Sequence, residues 1–147
     1  MKKAVVLFLL LTLASPLLAQ GLDDAFKISM SGIAVQKFRL RLIAENIANV
    51  ATLKTETGLP YQKQYAVLQQ HKFGVRVLRV EKSNEPFPMY PDGAVIQADD
   101  GGFVHWPNVN LPDEYVDLAF TEAMFEANVT AYKSAKAMYQ QTLEILK

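Results

Sequence analysis

Apolar residues recur every three or four positions over two long stretches at the ends of the chain, and a different pattern lies between them. From Asp23 or Asp24 to about Ala51 there is no proline and one internal glycine, Gly32. Phe26, Met30, Ile33, Leu40, Ala44, Ile47 and Ala51 fall on alternating steps of four and three, interrupted only at Lys37. That spacing is a heptad stripe and predicts a helix over about 24–52. Asp23 and Asp24 suit its N-terminus, as cap or as partners of the helix dipole. Gly32 costs roughly 1 kcal/mol relative to alanine in a helix interior and permits close approach of another backbone. From Pro112-Asp113 onward there is neither glycine nor a further proline, and Phe120, Met124, Ala127, Ala131, Met138 and Ile145 keep the same rhythm, with Ser134 and Gln141 in the polar slots. A second helix is expected over about 113–146, with Asp113 as cap and Pro112 just outside. Alanines at 119, 123, 127, 131, 135 and 137 give it a smooth surface suited to tight helix packing.

Between the helices the period shortens. Tyr61, Tyr65 and Val67 alternate in part, and Gly74–Val80 alternates more cleanly, with Val75, Val77 and Arg79 on one face and Arg76, Leu78 and Val80 on the other. His71-Lys72-Phe73-Gly74 is short enough to close these runs into a hairpin. Pro86, Pro88 and Pro91 bar a helix and predict an extended stretch. Asp99-Asp100-Gly101-Gly102 is a turn signal before Phe103-Val104. A β-rich insert over about 60–106 follows, too small to be very stable alone. The expected fold class is α+β: long N- and C-terminal α-helices forming a coiled-coil-like pair, with a small β-rich middle segment, in one domain over 20–147.

Helices of about thirty residues are roughly 45 Å long. A closed two-helix hairpin buries one stripe on each, yet Ile28, Val35, Ile43, Val50, Leu118, Phe125, Val129 and Tyr132 lie off those stripes. Surplus apolar surface on a long helix usually meets another chain, which favours a polymer over an isolated hairpin.

The start of the chain departs from all this. Met1-Lys2-Lys3 is basic, Ala4 to Ala14 is an apolar run interrupted only by Thr12, Ser15-Pro16 is expected to break a helix, and Leu17-Leu18-Ala19 precedes Gln20. This is the layout of a secretory signal peptide over residues 1–19, cut after Ala19. The apolar run is too short for an uncleaved anchor, which needs ~20 residues.

The balance of 15 basic and 15 acidic residues does not favour electrostatic capture of nucleic acid or an anionic membrane. The absence of cysteine excludes disulfides, thiolate metal sites and a cysteine nucleophile. His71 and His105 are 34 residues apart, without zinc-site spacing, and are expected as surface or loop residues. There is no G-x-S-x-G elbow and no phosphate-cradling glycine loop; Ser29 and Ser31 read as helix-face residues. Asp23/Asp24 and Asp99/Asp100 read as cap and turn, the second pair lacking the alternating ligands of a calcium loop. No metal, cofactor, catalytic residue or small-molecule substrate is expected, and a small secreted enzyme is the least favoured function.

Two longer runs carry a family resemblance. Ser31-Gly32-Ile33-Ala34-Val35-Gln36, continuing through Ile43-Ala44-Glu45-Asn46-Ile47-Ala48-Asn49-Val50-Ala51-Thr52, resembles the N-terminal signature of bacterial flagellar rod, hook and related axial proteins. That signature is an S-G-L element followed by A-N-N-I-A-N, here with Glu45 at its first asparagine. Asp99–Asn110 (DDGGFVHWPNVN) resembles the G-Y-V-x-x-P-N-V-N element of the proximal-rod family, FlgC, and Glu114-Tyr115-Val116-Asp117-Leu118 its E-M-V-D-L. Ala127-Asn128-Val129-Thr130-Ala131 and Ser134-Ala135-Lys136-Ala137-Met138 continue in register. Met89-Tyr90-Pro91-Asp92-Gly93-Ala94 departs from the family's Y-D-P-G-H-P-D, and a cleaved leader departs from its usual export through the flagellar channel.

The resemblance implies a non-enzymatic subunit of the basal-body rod. Its terminal helices would self-assemble with other copies into a helical inner tube, the middle segment packing outside. It implies as partners the other proximal-rod proteins, the distal rod and the export-gate adaptor at the rod base. The expected subunit-interface residues are Ile33, Leu40, Asn46, Ile47 and Asn49 on the first helix, Asn108 and Asn110 before the second, and Phe120, Ala127, Asn128 and Met138 along it. Buried asparagines among them would lock register by hydrogen bonding, the alternative being helix-end and turn chemistry. The competing function is a periplasmic adaptor or binding module that keeps these helices without polymerising.

Overall fold

The computed structural model describes residues 2–91 and 101–145, with side chains from Gly21 onward except Leu22. Helix α1 spans Lys2–Ala48 and α2 spans Leu111–Ile145. Between them lie β1 (Gln64–His71), β2 (Gly74–Lys82), β3 (Met89–Pro91) and β4 (Phe103–His105). The α+β class with long terminal helices is therefore as the patterning predicts.

The helix boundaries differ from expectation. α1 begins at Lys2 and passes Ser15-Pro16 without a break, so Asp23 and Asp24 are interior residues rather than a cap. Asp23 instead pairs with Lys27 one turn on. The helix ends at Ala48, short of residue 52, because Asn49 turns back: its Nδ2 donates to the Glu45 carbonyl at 2.8 Å, and its own carbonyl accepts from Thr52 N–H at 3.0 Å. These bonds satisfy groups that a helix end leaves open. α2 starts one residue before Pro112, so its cap position is Asn110, whose carbonyl accepts the Glu114 N–H at 3.0 Å. Asp113 sits in the first turn, where a carboxylate favours the dipole. Residues 146–147, the end of the expected helix, lie outside the described residues.

β1 and β2 form an antiparallel hairpin closed by Lys72-Phe73, with Gly74 at φ 111°, where a side chain is strained. Strict alternation fails at Leu78. Val67 pairs with Arg79 and Leu68 with Val77, so Leu78 is an inserted β-bulge residue and stands 46% exposed. β3 and β4 pair antiparallel as a second small sheet, and Trp106 N–H extends it by donating to the Pro88 carbonyl at 2.8 Å. Gly102, φ 76°, makes the predicted turn into β4. Asp92–Asp100, including Asp99-Asp100 of that turn and most of the departed proline element, lie outside the described residues.

The helices run antiparallel: Phe26 packs edge-on against Tyr132 (5.4 Å between centroids), Gly32 faces Asn128, and Asn46 reaches Glu114. The hairpin packs on α1. Buried apolar residues are Val35, Leu42, Ile43, Tyr61, Val104 and Ala135. On α2 the stripe read from the sequence is not the one that packs, whereas on α1 Phe26, Ile33, Leu40 and Ile47 of the stripe are half-buried. Val35 and Ile43 are buried, and Leu118, Phe125, Val129 and Tyr132 are half-buried, all of them off-stripe. Met30, Phe120, Met124 and Met138, all on the stripe, are 40–58% exposed. The physical reason is the partner. The inward faces meet each other through glycine, threonine and asparagine as well as apolar groups, so the face richest in large apolar residues is not the one facing in.

Candidate functional site

A knot of polar side chains lies where the end of α1, the start of α2 and the segment entering β1 come together. Asn46, 1% exposed, uses its whole carboxamide. Its Oδ1 accepts from Gln64 N–H at 3.0 Å and from the Tyr61 hydroxyl at 2.9 Å. Its Nδ2 donates to the Gln64 carbonyl at 2.9 Å and to Glu114 Oε2 at 3.1 Å. Two donors and two acceptor sites are all that an asparagine side chain has. Asn46 thus holds the Gln64 peptide by both edges, as a neighbouring strand would.

Asn108 does the same work one residue earlier in β1's approach. Its Oδ1 accepts from Lys63 N–H at 2.7 Å, and its Nδ2 donates to the Glu85 carbonyl at 2.9 Å. Lys63 and Gln64 are therefore gripped from opposite sides, by the end of α1 and by the segment leading into α2. Glu114, 1% exposed, completes the knot: Lys63 Nζ lies 2.7 Å from its Oε1. Burial works against the Lys63 ammonium, but the hydrogen bond and charge of Glu114, with Asp117 and Glu85 beyond, more than offset it and hold its pKa above the usual lysine range. Burial and the charge of Glu45 likewise push the Tyr61 hydroxyl up. A cleft of about 270 Å³ opens beside the knot, lined by Arg39, Leu42, Ile43, Tyr65, Leu68 and Asp117 among others. Buried Glu114 and half-buried Lys63 pair with each other, so the knot ties the start of α2 to the approach to β1. Among the described residues no cluster of three metal-ligating side chains occurs.

A second joint sits near the other end of the hairpin. Ser31 Oγ donates to the Ile28 carbonyl at 2.7 Å and accepts from Val75 N–H at 3.1 Å. Gly74 packs so closely that an added Cβ would overlap the Ser31 side chain. Lys27 Nζ lies 4.7 Å from the centre of the Phe73 ring, a cation–π contact that holds the hairpin tip. The Ser31-Gly32 pair thus has two duties, Ser31 toward the hairpin and Gly32 toward α2.

The expected interface residues fall into three groups. Asn46 and Asn108 are buried and spend their hydrogen bonds inside the chain. Ile33, Leu40, Ile47, Asn49 and Asn128 are half-buried, Asn49 and Asn128 bonding back to helix carbonyls one turn earlier. Phe120, Ala127 and Met138 are exposed along α2, and Asn110 is exposed at its start. The sequence reading placed Tyr61 in a strand run and Glu114 in a family element, but named none of Tyr61, Lys63 and Glu114 as a site residue. The available signal was a glutamate at 114 in phase with Leu118, Thr121 and Phe125, on the inward face of α2.

α2 also presents a long outward apolar face. Val116 is 70% exposed, Phe120 58%, Met138 50% and Ile145 85%, with exposed Ala123, Ala127 and Ala131 between them.

No family model matches the chain. Three curated relatives, each named flagellar basal-body rod protein FlgC, align over nearly their whole length. That of Borreliella burgdorferi is 32% identical, covering 86% of this chain and 99% of its own. That of Salmonella typhimurium is 30% identical, covering 85% and 98%. That of Agrobacterium fabrum is 31% identical, covering 86% and 96%. With both helices, the joints between them and these alignments in view, the chain belongs to the FlgC family of flagellar basal-body rod proteins.

Proposed function

We propose that this chain is a structural subunit of the flagellar basal-body rod, acting without catalysis and polymerising through the outward faces of its terminal helices. The observation that carries the reading is the contrast within α2. Its inward side is buried by packing and tied down by the Glu114 knot, while Val116, Phe120, Met124 and Met138 stand 40–70% exposed on the outside. Stacked helices of this length give a stiff shaft, and heterologous contacts repeated from copy to copy extend it helically. The joints around Gln64 and Ser31 keep the hairpin fixed to the shaft, so torque is carried by bonded elements rather than by loops. The partners are further rod proteins, proximal and distal, and the adaptor at the rod base.

The leader motif belongs to this proposal. Lys2-Lys3 followed by Ala4–Ala14 would carry the chain to the periplasm by the general secretory route, with residues 1–19 removed. The mature chain would carry 13 basic and 15 acidic groups, about −2, since the two lost lysines are the leader's only charged residues. Its first helical turns would then contain Asp23 and Asp24, where carboxylates favour the dipole. The intact mass of the exported protein tests the cut; a mass retaining Met1–Ala19 would refute it. The leader also favours one other reading, a periplasmic adaptor that keeps the helices and does not polymerise.

A deletion strain separates the two. Loss of motility with basal bodies arrested at the rod supports the subunit, and normal swimming refutes it. Complementation with Phe120→Asp ties the function to the α2 face: the variant should melt like the parent and fail to restore swimming.

A further inference from the structure

The two helices carry opposite charge. Residues 25–44 of α1 hold Lys27, Lys37, Arg39 and Arg41 and no acidic residue. Residues 111–131 of α2 hold Asp113, Glu114, Asp117, Glu122 and Glu126 and no basic one. Within one copy little of this is used. Among the described residues these nine groups make one ion pair beyond their own helix, Glu114 with Lys63 of the β1 approach, and two within a turn of α1, Lys27 with Asp23 and Arg41 with Glu45. Lys37, Glu122 and Glu126 are exposed and make no ion pair among the described residues.

The charges also sit on surfaces of matching shape. On α1, exposed Ala34, Lys37 and Arg41 with half-buried Phe38 line a shallow groove of about 210 Å³, the Arg41 guanidinium lying 4.5 Å from the Phe38 ring centre. Exposed Ala44 and Ala48 continue its floor. On α2, exposed Val116, Ala119 and Ala123 form an outward strip at helical spacing, with Glu122 and Glu126 along one margin. Small residues on both surfaces let two helices approach closely, and opposite charge along the margins fixes which surfaces meet.

We propose that the Ala34–Lys37–Arg41 groove of α1 receives the Val116–Ala119–Ala123 strip of α2 from a second copy of this chain, with Lys37 and Arg41 facing Glu122 and Glu126. The contact is heterologous, so each copy offers one groove and one strip and the arrangement propagates rather than closing as a dimer. The inference rests on the assembly reading above and adds to it the partner face and the register.

The absence of cysteine allows a clean test on the full-length chain. Single variants Lys37→Cys and Glu122→Cys, differently tagged and mixed, can form a disulfide only between copies. The expected result is a mixed cross-linked species that Lys37→Cys mixed with a control Lys72→Cys does not give. Adding Arg41→Glu to the first partner should lower its yield at least tenfold, and adding Glu126→Lys to the second should restore most of it. The Lys37→Glu/Arg41→Glu protein should fold like the parent by circular dichroism, fail to complement the deletion strain, and be rescued by Glu122→Lys/Glu126→Lys in the same chain. Should the reversed protein misfold, Lys37→Gln/Arg41→Gln takes its place in the complementation arm, where it should again fold and fail to restore swimming. Equal cross-linking with the control, or full complementation by the unpaired reversal, overturns the inference. A deletion strain that swims normally overturns the rod reading itself, so the two failures are distinct.

Discussion

Gly32 on α1 and Asn128 on α2 face each other across the helix pair with no room for a methyl group between them: an added Cβ would stand 2.6 Å from the Asn128 side-chain carbon. Asn128 is held in that place by its own bond, Nδ2 donating to the Met124 carbonyl at 2.7 Å. The glycine is thus retained against its helix cost because an amide fills the space its side chain would take.

Gly32→Ala should therefore destabilise the chain by about 1–2 kcal/mol. The overlap forces Asn128 to break its bond or the helices to separate, and this outweighs the roughly 1 kcal/mol of helix propensity gained. Gly32→Ala combined with Asn128→Ala removes the overlap and keeps the propensity, so it should recover at least the parent's stability. Urea midpoints of the four proteins in this cycle measure the coupling. Additive losses would show that the two residues do not meet.

Lys63→Met should be among the most damaging single changes, costing about 3–5 kcal/mol, because it leaves the Glu114 carboxylate buried at 1% exposure without its cation. Glu114→Gln added to it removes the stranded charge and keeps an oxygen for Asn46. The double variant should regain most of the loss in chemical denaturation. A double variant no better than Lys63→Met would mean that the ammonium acts elsewhere.

Much of this fold was legible in the sequence because it follows from period and punctuation. The ends, free of proline from Asp23 to Ala51 and of both glycine and further proline after Pro112, gave the helices, His71-Lys72-Phe73-Gly74 gave the hairpin turn, and Gly101-Gly102 gave the turn into β4. The direction of the helix faces was not legible. A heptad count weighs Phe120 and Met124 above Thr121 and Asn128, whereas the structure packs the second pair, since inward choice depends on what the opposite helix offers. The polar knot was half legible: the asparagines at 46 and 108 stood out, but their partners Tyr61, Lys63 and Gln64 come from a segment whose partial alternation says nothing of polar contacts. Leu78 escaped for a related reason, since a bulge shifts the phase that alternation assumes.

Thr121 tests the inward face from another side. It is fully buried, and its hydroxyl has no hydrogen-bond partner among the described residues. Such a group incurs its desolvation without compensation, so Thr121→Val, which keeps the shape, should be neutral or stabilising by about 1 kcal/mol. Thr121→Ser keeps the hydroxyl and removes a packed methyl, and should lose about 1 kcal/mol. Thermal melting of the two variants gives the comparison. A destabilised valine variant would indicate that the hydroxyl is bonded in solution.

The knot also sets how stability responds to alkali. Tyr61 and Lys63 both hold their protons more tightly in the folded chain than at their ordinary values of 10.0 and 10.5. Near neutral pH both are protonated whether the chain is folded or not, so neither contributes a slope. Above pH 10 the unfolded chain releases these protons first. It then binds fewer protons than the folded chain, and the stability falls as pH rises through the folded-state values. Urea midpoints should be level from about pH 7 to 9 with respect to these two groups and drop beyond 10. Tyr61→Phe removes the earlier of the two titrations along with one bond to Asn46. It should start less stable at neutral pH and decline less steeply in alkali, its fall beginning nearer the lysine's ordinary value. An alkaline decline as steep in Tyr61→Phe as in the parent would show that Tyr61 is not the group responsible for it.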